Sequence, residues 1–354
     1  MTIGVRHSGV PTAIEGSMAH LYRRVTSMKK SLAMVGVLAA VTILFTGCTD
    51  SAAPSATEPA ADATPGELTS VRVAALPIAE TGALWAAIEE GIFADHGLEI
   101  EVVPAQGGAL AIPALLSGDI QFAVGQPFGP MRAELQDLGI VIISNYADSL
   151  AEGKDVNAVV ALGGSGITSP ADLAGKRVSV NSLGAAGDVT IMKAVEDAGG
   201  DPSTIEFVEV AFPDAQAQLD AGTIDAAWVP DPFRGMIVGA GGVEVVYPYQ
   251  ATIPGLTVLT NYTTAELIES DPKLVESYAA AMAEALDWAA ANRDAVNAAI
   301  AENLGIPLAA AESLTISSFT PKLDVSKVED LAQVAVDYGV LPALPDFDVM
   351  IQLQ

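Results

Sequence analysis

One cysteine, three histidines and 44 carboxylates make up the chain's stock of nucleophilic, acid–base and metal-ligating side chains. Cys48 is the single cysteine, and two of the histidines, His7 and His20, precede it. Only His96 follows, in Phe93-Ala94-Asp95-His96-Gly97-Leu98, where a helix gives way to a strand. A surface turn residue is the plain reading of it. A Ser-His-Asp or Cys-His relay needs a base beside its nucleophile, and a zinc site needs several His or Cys ligands. Neither set can be assembled from these residues. Carboxylates are numerous enough for an acid–base pair by count alone. Gly184-Ala185-Ala186-Gly187 and Gly239-Ala240-Gly241-Gly242 are too short for a dinucleotide fingerprint, and the second reads better as a helix stop. Ala174-Gly175-Lys176-Arg177 lacks the first glycine and the hydroxyl of a phosphate loop. No metal, no cofactor and no enzymatic activity are expected; reversible capture of a metabolite is the more economical reading.

Cys48 has its own context. Met28-Lys29-Lys30 is a short basic start, and Leu32 to Phe45 is an apolar run broken only by Gly36 and Thr42. A bilayer span needs roughly 20 apolar residues, whereas this run suits the core of a secretory signal. Thr46-Gly47-Cys48 then resembles a bacterial lipobox, with Phe45 where leucine is usual. The resemblance implies a diacylated Cys48 and cleavage in front of it, so that residues 1–47 form a signal region. Residues 1–27 serve neither purpose, and Met28 is the expected true start. From Cys48 the sequence TDSAAPSATEPAADATPGE buries too little apolar surface to offset ordering, so 48–67 reads as a flexible tether. The expected location is the outer face of the cell membrane, with the protein exported and held there through lipid on Cys48.

The charge narrows the partners. Five of the 16 bases and one of the 44 acids precede Cys48, which leaves 11 bases against 43 acids, a net charge of −32. Such a surface repels phosphate backbones and anionic headgroups, so nucleic-acid binding is excluded. The mean hydropathy of +0.40 owes much to alanine, and no other uninterrupted apolar run is long enough to span a bilayer. With one cysteine no internal disulfide can form.

The elements that must position a binding site follow a β-α-β rhythm from Val71 onward. Val71 to Leu76, Leu98 to Val103 and Ile120 to Val124 read as strands, with helices over Gly82 to Glu90 and Ala109 to Leu116. Ser169-Pro170-Ala171-Asp172 is a helix start, after which strands over Arg177 to Val180 and Ile205 to Val210 enclose a helix over Asp188 to Ala198. The restart is visible as L-x-x-G-x-I-x-x-A, which spans both Leu115 to Ala123 and Leu219 to Ala227. Each copy predicts a helix ended by a positive-φ glycine and a tight turn into a buried strand. The C-terminal third is helical. Val275, Tyr278, Met282 and Leu286 form a core-packing stripe, and further helices are expected near Pro307 to Leu314 and Lys327 to Tyr338.

Four stretches carry a family resemblance: Gly91 to Leu98 (GIFADHGL), Leu115 to Gln121 (LLSGDIQ), Ser169 to Val178 (SPADLAGKRV) and Trp228 to Phe233 (WVPDPF). Their order and spacing resemble the substrate-binding proteins of ABC importers, in the sulfonate, nitrate and thiamine-precursor group. The resemblance implies an α/β fold, a two-lobed periplasmic-binding-protein-like (type II) clamshell with two crossover strands, near Asn157 to Leu162 and Leu256 to Thr260. Lobe one is then 68–156 plus 257–354, and lobe two 157–256. It also implies a monomer that captures a small molecule by hinge closure and presents it to a cognate ABC permease.

Ligands of open α/β sheets sit beyond the carboxyl ends of the strands. The candidate binding residues are therefore Thr81, with Trp85 behind it, Gln106, Gly107 and Gln126 in lobe one. In lobe two they are Asn181, Ser182, Gly184, Ala185, Asp231, Phe233 and Arg234. Trp85 reads as core packing ahead of ligand contact, and Arg234 either grips a carboxylate or sulfonate or pairs with Asp231. The expected ligand is a sulfonate, a pyrimidine or thiamine precursor, or an aromatic carboxylate. An enzyme of cofactor biosynthesis on the same fold and a sensor lipoprotein serving a receptor kinase are the alternatives.

Overall fold

Val71-Arg72-Val73-Ala74-Ala75 lies within the first strand, β1 (Thr69–Ala75), of a computed structural model that describes residues 68–105 and 107–354. The expected signal region 1–47, Cys48, the tether 48–67 and Gln106 lie outside the described residues. Ten strands follow: β2 (Leu98–Pro104), β3 (Phe122–Gly125), β4 (Ile140–Asp148), β5 (Asn157–Leu162), β6 (Arg177–Val180), β7 (Glu206–Glu209), β8 (Ala226–Pro230), β9 (Gly242–Val246), β10 (Thr257–Thr264) and β11 (Ser318–Phe319). They form two sheets, in the orders β11-β4-β10-β3-β1-β2 and β7-β6-β8-β5-β9.

Apart from the short β11, the two sheets are built alike. In the first, β1 runs parallel to β2 and β3, and β10 is inserted antiparallel between β3 and β4. In the second, β6 runs parallel to β7 and β8, and β5 is inserted antiparallel between β8 and β9. Each antiparallel member is the strand that arrives from the other half. The chain leaves the first sheet after Asp148 to enter β5, and leaves the second after Val246 to enter β10. The two stretches expected as crossovers are thus these inserted strands, and the fold is the two-lobed α/β clamshell.

The internal repeat explains why the sheets match. Gly118 and Gly222 adopt φ of 75° and 67°, the left-handed region that a side chain disfavours, and each turns its helix into β3 or β8. The strands beside them are anchored in the same way. Arg72 N donates to Gln121 Oε1 at 2.9 Å, and Arg177 N donates to Asp225 Oδ2 at 2.9 Å. Helix bounds differ from the sequence reading by a few residues, as at Ala186–Asp197 and Val325–Asp337. The helix expected from Ser169 is a single 3-10 turn, Pro170–Leu173, closed by Asp172 Oδ2, which accepts from Ser169 N at 2.9 Å.

Most of the helical C-terminal third packs against the first sheet, while Val325–Asp337 lies against Ala186–Asp197 of the second half and Tyr338 donates its hydroxyl to Glu196. Val275, Tyr278, Met282 and Leu286 of the helix Pro272–Ala291 are all fully buried, and the Tyr278 ring stacks on Phe122 of β3 at 3.7 Å. Among the described residues no helix is long and apolar enough to cross a membrane.

Candidate ligand-binding cleft

The cleft lies where the two sheets point their strand ends at each other. It encloses about 560 Å³ of empty space, mouth included, and both halves line it. From the first come Leu76, Ile78 and Glu80 after β1, then Gly107, then Gln126, Phe128 and Gly129 after β3, and Val258 and Leu259 of β10. From the second come Asn157 of β5, Asn181, Ser182 and Ala185 after β6, Phe212 after β7, Trp228 and Pro230 of β8, and Tyr249.

Aromatic rings form much of the wall. Trp228 meets Tyr249 edge-on at 5.5 Å and Phe212 at 5.9 Å, the offset and T-shaped arrangements that ring quadrupoles favour. The halves also touch across the opening. Gln126 Nε2 donates to the Tyr249 hydroxyl at 3.2 Å, and Ala186 N donates to Gln126 Oε1 at 3.3 Å. A Cβ on Gly107 would lie 3.6 Å from Asn181 Nδ2, so that glycine sits directly against the facing loop.

Of the residues proposed from sequence, Gly107, Gln126, Asn181, Ser182 and Ala185 line this cavity. Gln106 lies outside the described residues. The other six are placed elsewhere. Thr81 is buried, and its hydroxyl donates to the Leu76 carbonyl. Trp85 borders a separate surface groove with Ile88, Ile100 and Asn303, and is 9 % exposed. Gly184 turns its carbonyl to Arg132 Nη2, which donates to it from the other half. Phe233 stands behind Phe212, ring centres 6.1 Å apart.

Arg234 departs most from the expectation of a ligand-gripping side chain. It is 4 % exposed, ion-paired with Asp231, and donates to the Asp155 carbonyl and, at 2.8 Å, to Thr315 Oγ1. Asp231 Oδ2 in turn accepts from Thr315 N at 3.0 Å, and the Asp231 carbonyl accepts from Ala79 N at 3.3 Å. A guanidinium buried without a counter-ion is costly, and the carboxylate three residues earlier meets that need internally.

Glu80 was not among the proposed residues. It is 2 % exposed, its carbonyl accepts from the Tyr146 hydroxyl at 2.9 Å, and its Oε2 has no hydrogen-bond partner among the described residues. Burial, reinforced by Asp231 and Asp155, pushes its carboxyl up to about 8, against the opposing pull of its own backbone amide and Arg234. Trp228 Nε1 likewise is buried with no partner among the described residues. Trp228 stands in the WVPDPF stretch, so its position was visible in the sequence. Asn157 and Tyr249 were missed because they come from the segments that pass between the halves, not from loops within one half.

The start of the helix Ala186–Asp197 has the geometry of an anion site, but three of the amides there are already engaged. Asp188 Oδ1 accepts from Ala185 N at 2.7 Å, Asp188 Oδ2 accepts from Gly184 N, and Ala186 N is taken by Gln126. No Lys, Arg or His is among the described residues that line the cavity.

Comparisons with known proteins agree with this architecture. Residues 79–296 match the family model described as NMT1/THI5 like. A formylaminopyrimidine-binding protein of Halalkalibacterium halodurans is 25 % identical over 215 residues, 60 % of this chain; the match spans 63 % of that relative's length. The alkanesulfonate-binding protein SsuA from Xanthomonas axonopodis pv. citri, solved bound to MOPS, superposes with a TM-score of 0.69 at 16 % identity. That superposition covers 81 % of this chain and 99 % of SsuA. The desulfurization enzyme DSZB superposes with a TM-score of 0.60 at 19 % identity, covering 80 % of this chain and 96 % of DSZB. At these identities the two structures share a fold with this chain, and one frame thus serves both binding and turnover.

Proposed function

This chain belongs to the NMT1/THI5-like family, and on that premise we propose that it is the extracytoplasmic solute-binding component of an ABC importer. One observation carries the reading: a cavity walled from both sides by two like-ordered sheets, with only two chain crossings between them. That is the layout of a hinge that closes on a solute. The lobes on this reading are 68–156 plus 257–354 and 157–256, acting as a monomer that delivers its solute to a cognate permease. Lipid on Cys48 and the tether after it would hold the protein at the outer face of the cell membrane.

Binding without turnover is supported by the lining, in which the described residues supply one carboxyl and neither histidine nor cysteine. The ring-rich wall formed by Phe128, Phe212, Trp228 and Tyr249 favours a small, flat organic solute. The test is a thermal-shift screen of the full chain against pyrimidines, aromatic acids, sulfonates and nitrate. Small-angle scattering and product analysis then follow for each hit. The importer reading expects a hit that compacts the protein and is recovered unchanged. A hit that is chemically converted would establish the enzyme reading instead.

A further inference from the structure

Glu80 brings to the cleft wall a carboxyl with one oxygen left without a hydrogen-bond partner among the described residues. The residue is 2 % exposed and lines the cavity, and its Oε2 has no partner among the described residues. Burying a polar atom unpaired costs free energy that a bound partner recovers. Trp228 Nε1, on the opposite half, is a second buried polar atom in the same condition. Its only chemistry is donation. The lining thus offers a carboxyl from one half and an N–H donor from the other.

We propose that Glu80 is the specificity-determining residue of the cleft, its Oε2 pairing with an N–H donor of the solute. On that account the site takes nitrogen-bearing, non-anionic aromatic solutes and rejects oxyanions. The inference rests on the solute-binding reading and deepens it. Three features point away from a sulfonate, nitrate or carboxylate. No cationic side chain is among the described lining residues, the amides of Gly184, Ala185 and Ala186 at the helix start are taken by Asp188 and Gln126, and Arg234 is committed to Asp231. An anion beside Glu80 would also meet Asp231 and Asp155, both of which act on that carboxyl. A carboxyl held toward its neutral form presents O–H and C=O together, which complements an amino group next to a ring nitrogen. Trp228 Nε1 remains to serve an acceptor elsewhere on the ring.

Calorimetric titration of the full chain at pH 6.5 tests this with 4-aminopyrimidine, 4-methylpyrimidine, benzoate and benzenesulfonate. We expect 4-aminopyrimidine to bind at least tenfold more tightly than its methyl analogue, and the two anions more weakly still. Glu80→Leu should lose at least thirtyfold in 4-aminopyrimidine affinity, whereas Glu80→Gln, which keeps a donor beside an acceptor, should stay within about tenfold. The comparison of the two pyrimidines uses the unaltered protein and so stands whether or not a variant folds. Equal binding of both pyrimidines, no binding of 4-aminopyrimidine, or tighter binding of benzenesulfonate would each overturn the assignment. Compaction on benzenesulfonate would sink the role of Glu80 and leave the importer reading intact. Glu80-dependent binding of 4-aminopyrimidine without compaction would do the reverse.

Discussion

At the scale of single residues, Glu80 should leave a mark on stability as well as on binding. Its folded-state pKa of about 8 stands above its ordinary value of 4.5, so the folded protein holds a proton that the unfolded chain releases between those values. The stability this group supplies is complete below about pH 4.5 and is lost as pH rises through about 8. At about 1.36 kcal/mol per pH unit, the loss is on the order of 4–5 kcal/mol. Glu80→Gln cannot ionise and should escape it. Urea unfolding of both proteins at pH 5 and pH 8.5 checks this: the variant should gain relative to the wild type as pH rises. A constant difference would mean that the carboxyl is not confined as described. At this scale the sequence was partly legible. Gly107, Gln126, Asn181, Ser182 and Ala185 reach the cavity because loops after strand ends must face it. For Arg234 the sequence left two readings open, a grip on an anion or a pair with Asp231; the second is the one the structure holds, and its burial depends on how the surrounding elements dock, which local pattern does not carry.

At the scale of elements, the decisive packing is the helix Ala186–Asp197 against the Trp228 indole. A Cβ on Gly187 would stand 2.9 Å from Trp228 Cε3 and 3.0 Å from Val180 Cγ1, so the absence of a side chain lets the helix seat against the ring. Gly187→Ala therefore forces either the helix or the indole to move, and the indole's free side is the cavity. Overpacking of this kind costs typically 1–3 kcal/mol. We expect a stability loss in that range together with at least tenfold weaker binding of the cognate solute. Chemical denaturation and calorimetry read the two effects separately, and wild-type affinity in the variant would show that Trp228 does not set the cavity's shape. Gly187 stood within a glycine pair already prominent in the sequence. Its neighbour across the packing, however, is 41 positions away in the chain, and local pattern cannot supply that pairing. The repeated L-x-x-G-x-I-x-x-A was more informative, because a glycine-ended helix entering a buried strand is a local event. Both copies fold as read, in front of β3 and β8.

At the scale of the whole molecule, the Asp231–Arg234 pair ties one half to the other. Asp231 and Arg234 belong to the second half, while Thr315 and Ala79 belong to segments packed with the first. A solute favours the closed form only by its differential affinity for it, and any contact that pre-populates the closed form raises apparent affinity. Removing Arg234 outright would strand Asp231 and confuse the result with unfolding. Thr315→Val is the cleaner probe. It deletes only the hydroxyl that accepts from Arg234 Nη2, and leaves both the ion pair and the Thr315 N–H bond to Asp231 in place. A hydrogen bond to a charged group contributes about 1.5–3 kcal/mol. If that bond exists mainly when the halves are together, its loss should weaken solute binding by roughly tenfold or more. The solute-free variant should also show a larger radius of gyration in small-angle scattering, with its bound form unchanged. Equal affinity and equal dimensions would place these contacts on the hinge itself, made in open and closed states alike, and would shift attention to the other bonds between the halves, those of Gln126 and Arg132 across the cleft and of Tyr338 to Glu196.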